Sequence, residues 1–157
     1  MALAASGALL VAQSSTGVLK IGGDVPTPLS LTTADLKGLP RTQVSVTEDG
    51  RTVQYEGVLV AELLKRAGAP SGGGLRGPAL ASYVTASASD GYQVVFSLAE
   101  LDAELTSNNI IVADTVDGKS LSAYQGPFRI VAPKDSRPAR SVRMLERLDV
   151  VRLRKDQ

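Results

Sequence analysis

Three Asp-Gly pairs, Asp49-Gly50, Asp90-Gly91 and Asp117-Gly118, each stand between runs rich in apolar and β-branched residues. Asp-Gly suits the positive-φ positions of a tight hairpin turn, and alternation sends every second side chain to the same face of a strand. In "TQVSVTEDGRTVQYEG" Val44, Val46, Val53 and Tyr55 keep period two across the turn. "TASASDGYQVVF" repeats the arrangement, with a second strand opening on Tyr92, and "NNIIVADTVDGKSL" gives strand, turn and strand start. A chain with three such hairpins is built chiefly from antiparallel strands.

The remaining segments fit between them. "VLKIGG" and "LSLT" read as short strands split by "DVPTP", whose prolines exclude a central strand position. "TTADLKGLP" predicts a helix of one to two turns capped by Thr33 and ended by Gly38 and Pro40. "VLVAELLKRAGAP" switches to helical period, with Leu59, Leu63, Leu64 and Ala67 on one face. In "SLAEL", Ser97 and Glu100 have capping-box spacing. "SGGGLRGP" reads as a flexible loop, because neither GxGxxG nor GxxxxGK[ST] is present. "QGPFRIVAP" predicts a glycine-proline lead-in to a short strand carrying Arg129, and the alternation Val150, Arg152, Arg154 predicts a closing strand. Helices are few and short and long crossovers are missing, so the pattern is α+β or mostly β.

Composition then removes functions. At 157 residues the chain is one domain with a real core. It has no cysteine and no histidine, which excludes structural zinc sites, Ser-His-Asp triads and histidine general bases. Residues 129–157 hold nine basic and four acidic side chains, against eight and twelve in residues 1–128. The last stretch therefore attracts anions, but it contains no aromatic on which bases could stack, so nucleic acid is not the expected partner. Residues 1–14, "MALAASGALLVAQS", are too short to span a bilayer and resemble the apolar region of a secretory signal without its basic start. They predict a remnant signal peptide, a periplasmic or exported protein, and a folded domain over residues 17–155 without a transmembrane span.

The order of the pieces carries a resemblance. "YEGVLVAELLKRAG", "DGYQVVFSLAEL" and "DGKSLSAYQGPFRIVAPKDSRPARSVRMLERLDV" follow one another as in the molybdopterin-binding domain of the sulfite oxidase family, in its small single-domain form. The chain resembles that family at Tyr55 to Val58 (aromatic-x-Gly-Val), Asp90 to Tyr92, Gly118 to Leu121, Gly126 to Arg129 and Arg140 to Leu145. The resemblance implies an α+β fold of mixed sheets with short helices and a pocket for a pterin-dithiolene cofactor. It also implies, in catalytic members, a molybdenum-ligating cysteine on the strand before the aromatic-x-Gly-Val motif. Here that segment is "TQVSVTEDGRTVQ": it is short and lacks the thiolate, which a threonine hydroxyl does not replace. Arg143 and Met144 stand where the closing motif has lysine and tryptophan.

Carried over position by position, the resemblance implies ligand-binding roles for several residues. Tyr92 would stack or donate its hydroxyl. Arg129, Arg140 and Arg143, with Ser141 among them, would meet carbonyl oxygens or a phosphate, and Ser89 and Asp90 would pair with ring nitrogens. Each also has a plainer reading: Asp90 and Gly91 form turns whatever they bind, Tyr55 reads as core, and Arg140 and Arg143 would share a face if their stretch is a helical turn. No catalytic or metal-ligating residue is assigned. The expected function is non-catalytic binding of a pterin or pterin-like small molecule, without molybdenum, linked to a membrane sensor or redox partner. The alternatives are a molybdopterin-dependent oxidoreductase domain with a non-cysteine metal site, and an interaction scaffold.

Overall fold

The computed structural model describes residues 17–153, so the predicted signal remnant lies outside the described residues. The strands are β1 (Val18–Gly23), β2 (Leu29–Thr32), β3 (Thr42–Glu48), β4 (Arg51–Leu59), β5 (Ser82–Ala88), β6 (Gln93–Ser97), β7 (Ile111–Val116), β8 (Lys119–Ser120), β9 (Arg129–Val131) and β10 (Leu145–Arg152). The helices are α1 (Thr33–Lys37), α2 (Val60–Arg66) and α3 (Leu98–Leu101). One five-stranded sheet runs β2-β1-β10-β5-β6; the other runs β3-β4-β7-β8, with β9 also on β7. Among the described residues no helix is long and apolar enough to cross a membrane.

All three Asp-Gly pairs turn hairpins, by two different geometries. Asp49 (φ 49°) and Gly50 (φ 75°) are both left-handed and close β3 onto β4 with Glu48 opposite Arg51; Asp117 and Gly118 do the same for β7 and β8. At Asp90-Gly91 only the glycine is left-handed, at φ 89°. There Gly91 N–H bonds Ala88 O and Tyr92 N–H bonds the Asp90 side chain at 3.0 Å, so Tyr92 completes the turn and β6 begins at Gln93. The expectation that Tyr92 opens the strand is corrected: the longer turn, a reverse turn followed by a left-handed glycine, absorbs it.

Both capped helices keep the reciprocal pattern. Ser97 and Glu100 cap α3 as predicted, but α1 is capped by Thr32 rather than Thr33, because Thr32 lies the required three residues before Asp35. Leu59 ends β4 rather than opening α2. The glycine-rich stretch is not an unstructured loop: 3-10 turns occupy Gly72–Gly74 and Gly77–Ala81. Leu75, 3% exposed, anchors them in the core, and Asp102 accepts from Gly72 N–H at 2.8 Å.

The main core lies between the sheets, where Leu19, Val58, Phe96, Val112, Phe128 and Leu148 pack with α2 and α3. The chain's last strand is central, pairing β1 in parallel and β5 antiparallel. A smaller apolar cluster, Val44, Tyr55, Ile111, Ala113 and Val131, covers the other face of the second sheet. Gly57 explains the glycine of the aromatic-x-Gly-Val segment. A Cβ there would stand 1.9 Å from Val112 O, so β4 approaches β7 this closely only without a side chain.

Candidate functional site

The end of β3, the β3–β4 turn, the lead-in to β9 and the loop over residues 132–143 enclose a groove of about 680 Å³. Its polar wall includes Glu48, Gln125, Arg129, Arg137, Ser141 and Arg143, with Val46 and Val131 among its apolar residues. This is the segment where the resemblance implies a metal-ligating cysteine; Thr47, Glu48 and Asp49 line it instead.

Arg129 is set by β9, whose three residues are all buried and whose register puts Arg129 opposite Ala113. The cis Gly126-Pro127 peptide precedes it. A guanidinium only 3% exposed requires partners that offset its lost hydration. Nη2 donates to Glu48 at 3.0 Å, Nη1 donates to the Tyr55 hydroxyl, and the guanidinium lies 4.8 Å from the centre of the Tyr55 ring. The Tyr55 hydroxyl in turn donates to Glu48 at 3.1 Å. Burial raises the Tyr55 phenol above its ordinary value of 10.0, and the charge of Arg129 opposes that rise in part. The three side chains thus close on one another.

Two atoms at this wall remain unpaired. Arg129 Nε, a donor, and Gln125 Oε1, an acceptor, are both buried and have no hydrogen-bond partner. Buried polar groups in folded proteins are ordinarily satisfied, so a neighbouring donor and acceptor left over in one groove mark where a ligand's complementary edge would sit.

A second cavity of about 240 Å³ adjoins the groove and is lined by Asp90, Tyr92, Val142 and Met144 among others. The two cavities share Tyr124, Pro138, Ser141 and Arg143. Arg143 donates to the Tyr124 hydroxyl and lies 4.6 Å from the centre of its ring.

The structure brings Arg129, Ser141 and Arg143 to the groove and Asp90, Tyr92, Ser141 and Arg143 to the smaller cavity. It does not bring Arg140 or Ser89 to either. Arg140 donates to both Asp135 oxygens at 2.8 Å and to Glu100 at 2.6 Å, and its guanidinium lies over Phe96. These carboxylates, Asp135 foremost, raise its pKa and fasten the loop to α3. Ser89 is an exposed turn residue whose N–H bonds Met144 O. The shared face expected for Arg140 and Arg143 is not formed, because the 3-10 turn ends at Arg140 and the two side chains diverge. Tyr92 also holds the loop, its hydroxyl donating to Ala139 O at 2.6 Å.

Glu48, Gln125 and Tyr124 were not singled out by sequence reasoning, and Tyr55 was read as core, which its full burial bears out except for the hydroxyl. The sequence holds a signal for two of them. Glu48 is the last residue before a tight turn, and Gln125 is a polar residue directly before a glycine-proline lead-in.

The chain belongs to the oxidoreductase molybdopterin-binding domain family, whose model matches residues 8–157. Among solved structures it is similar to the sulfane dehydrogenase SoxCD from Paracoccus pantotrophus, at a TM-score of 0.66 and 20% identity, over 85% of this chain and 38% of that one. The likeness establishes the fold, and the chain spans well under half the length of that neighbour. No curated protein matches the sequence.

The family implies a molybdenum-bearing pterin, and its two halves fit this groove unequally. For the metal, the chain offers no thiolate, Glu48 is engaged by Arg129 and Tyr55, and no three His, Cys, Asp or Glu residues among the described ones gather at a metal-binding spacing. For the pterin, the orphaned Arg129 Nε and Gln125 Oε1 are a donor-acceptor pair matching an amide-like ring edge. The organic half fits and the metal half does not.

Proposed function

We propose that this protein binds a pterin or pterin-like heterocycle without catalysing a redox reaction on it. The observation that carries the reading is the buried, unpaired pair Arg129 Nε and Gln125 Oε1 on the wall of the groove. A lactam or aminopyrimidinone edge supplies the acceptor for one and the donor for the other, and the groove volume is within the range that takes a small ligand. The Arg129–Glu48–Tyr55 network fixes the guanidinium in place, so little ordering is left for binding to oppose.

Thermal denaturation across a panel of pterins tests this. A ligand at 100-fold excess over its Kd stabilises by about 2.7 kcal/mol, which raises Tm by roughly 5–11 °C in a domain of this size. Arg129→Met and Gln125→Leu each abolish most of the shift. No shift with any pterin at millimolar concentration overturns the proposal. Stoichiometric molybdenum in protein made in a host that supplies the cofactor overturns its non-catalytic part.

A further inference from the structure

Tyr124 differs from the other aromatic residues near the site. Tyr55 is fully buried and Tyr92 is tied to Ala139, but Tyr124 is 68% exposed and stands between both cavities. The Arg143 guanidinium covers one face of its ring, 4.6 Å from the centroid, and also donates to the hydroxyl. With so much of the residue still exposed, the opposite face is open to solvent. Among the described residues Arg143 has no carboxylate within salt-bridge distance, so its charge is directed at the ring rather than cancelled. Gln125, bearing the orphaned acceptor, is the next residue in the chain.

We propose that the open face of Tyr124 is the stacking platform of the groove, and that Arg143 behind it selects planar, electron-rich or anionic rings. The inference rests on the small-ligand reading of this groove but assigns a residue and a selectivity that the reading does not contain. A ring held by its hydroxyl on a guanidinium cannot rotate freely, so stacking on it meets little rotamer cost. A cation on one face withdraws electron density through the ring, which favours an electron-rich partner on the other face. Tyr92, expected to stack or to donate its hydroxyl, lines the smaller cavity and donates that hydroxyl to Ala139 O, on the loop that carries Arg143.

The test uses two fluorescent probes, pterin and 1-naphthoate, titrated into the wild type, Tyr124→Phe and Tyr124→Leu. Pterin carries both the ring and the amide-like edge; 1-naphthoate is planar and anionic but has no such edge. Tyr124→Leu is expected to weaken both probes about tenfold or more, and Tyr124→Phe, which keeps the ring, only a few-fold. Circular dichroism and Tm identify any variant that fails to fold, and Tyr124→Phe supplies the comparison if the leucine variant does. If pterin binds the wild type and Tyr124→Leu equally, the platform is refuted while the pterin reading stands. Tyr124-dependent binding of 1-naphthoate without binding of pterin overturns the pterin reading and upholds the platform. Failure of both probes on the wild type refutes both.

Discussion

Truncating Glu48 to alanine isolates what holds the buried Arg129 guanidinium in the groove. The substitution leaves a guanidinium only 3% exposed with the Tyr55 hydroxyl as its one remaining side-chain partner. Breaking a fully buried pair costs about 3–5 kcal/mol, but the Glu48 side chain is 31% exposed and water reaches the vacated place, so about 2 kcal/mol is the reasonable figure. At roughly 2–4 °C per kcal/mol, Tm falls by about 4–8 °C. Arg129→Met acts oppositely on the same pair. It replaces the buried cation by an apolar chain of similar length, and Glu48 turns to solvent, so its cost is smaller, about 1 kcal/mol or less. In the double variant Glu48→Ala has no cation to strand, and the double cycle gives a coupling energy of about 1–2 kcal/mol. Thermal melts followed by circular dichroism at neutral pH measure all four proteins. A Glu48→Ala Tm within 1 °C of wild type, or strictly additive effects, would refute the claim that Glu48 holds Arg129 in the groove.

Two further outcomes follow from the same geometry. Gly57→Ala sets a Cβ 1.9 Å from Val112 O and 2.6 Å from Ala113 Cα, both backbone atoms that cannot step aside. It lowers stability by about 3 kcal/mol in a denaturant melt, and a loss below 0.5 kcal/mol contradicts the close approach. The chain has four tyrosines and no tryptophan, so absorbance at 295 nm follows phenolate formation cleanly. Because burial raises the folded Tyr55 value, the phenol contributes stability that is whole below pH 10 and is lost as pH rises through the folded value. One tyrosine therefore titrates late, and Tyr55→Phe removes that late step while flattening the alkaline loss of stability.

The hairpins were legible because their determinants are local. Asp-Gly pairs set two successive left-handed residues, and period-two apolar residues choose the buried face, so β3 with β4 and β7 with β8 needed no tertiary information. The parallel pairing of β1 with β10 was not legible, since nothing local at Ile21 refers to Leu148. The glycine-rich stretch misled for a related reason. Its order comes from Leu75 entering the core and from Asp102, 30 residues away, accepting from Gly72. The site divides along the same line. Motif order found the segments that form the groove, but residue type could not separate Arg129, which faces the groove, from Arg140, which is taken up by Asp135 of its own loop and Glu100 of α3.

The network around Arg129 bears on what the groove can hold. A buried arginine is unstable without a counter-charge. Here the residue that supplies it, Glu48, comes from the strand on which family resemblance places the thiolate. The two-residue turn at Asp49-Gly50 leaves Glu48 at the end of β3, 3.0 Å from Arg129, and the Tyr55 hydroxyl bonds to both. Glu48 is a hard carboxylate already neutralised by a guanidinium, which has little left to offer a metal ion. What remains unsatisfied is Arg129 Nε and Gln125 Oε1, and both are suited to an organic ring edge rather than to a cation.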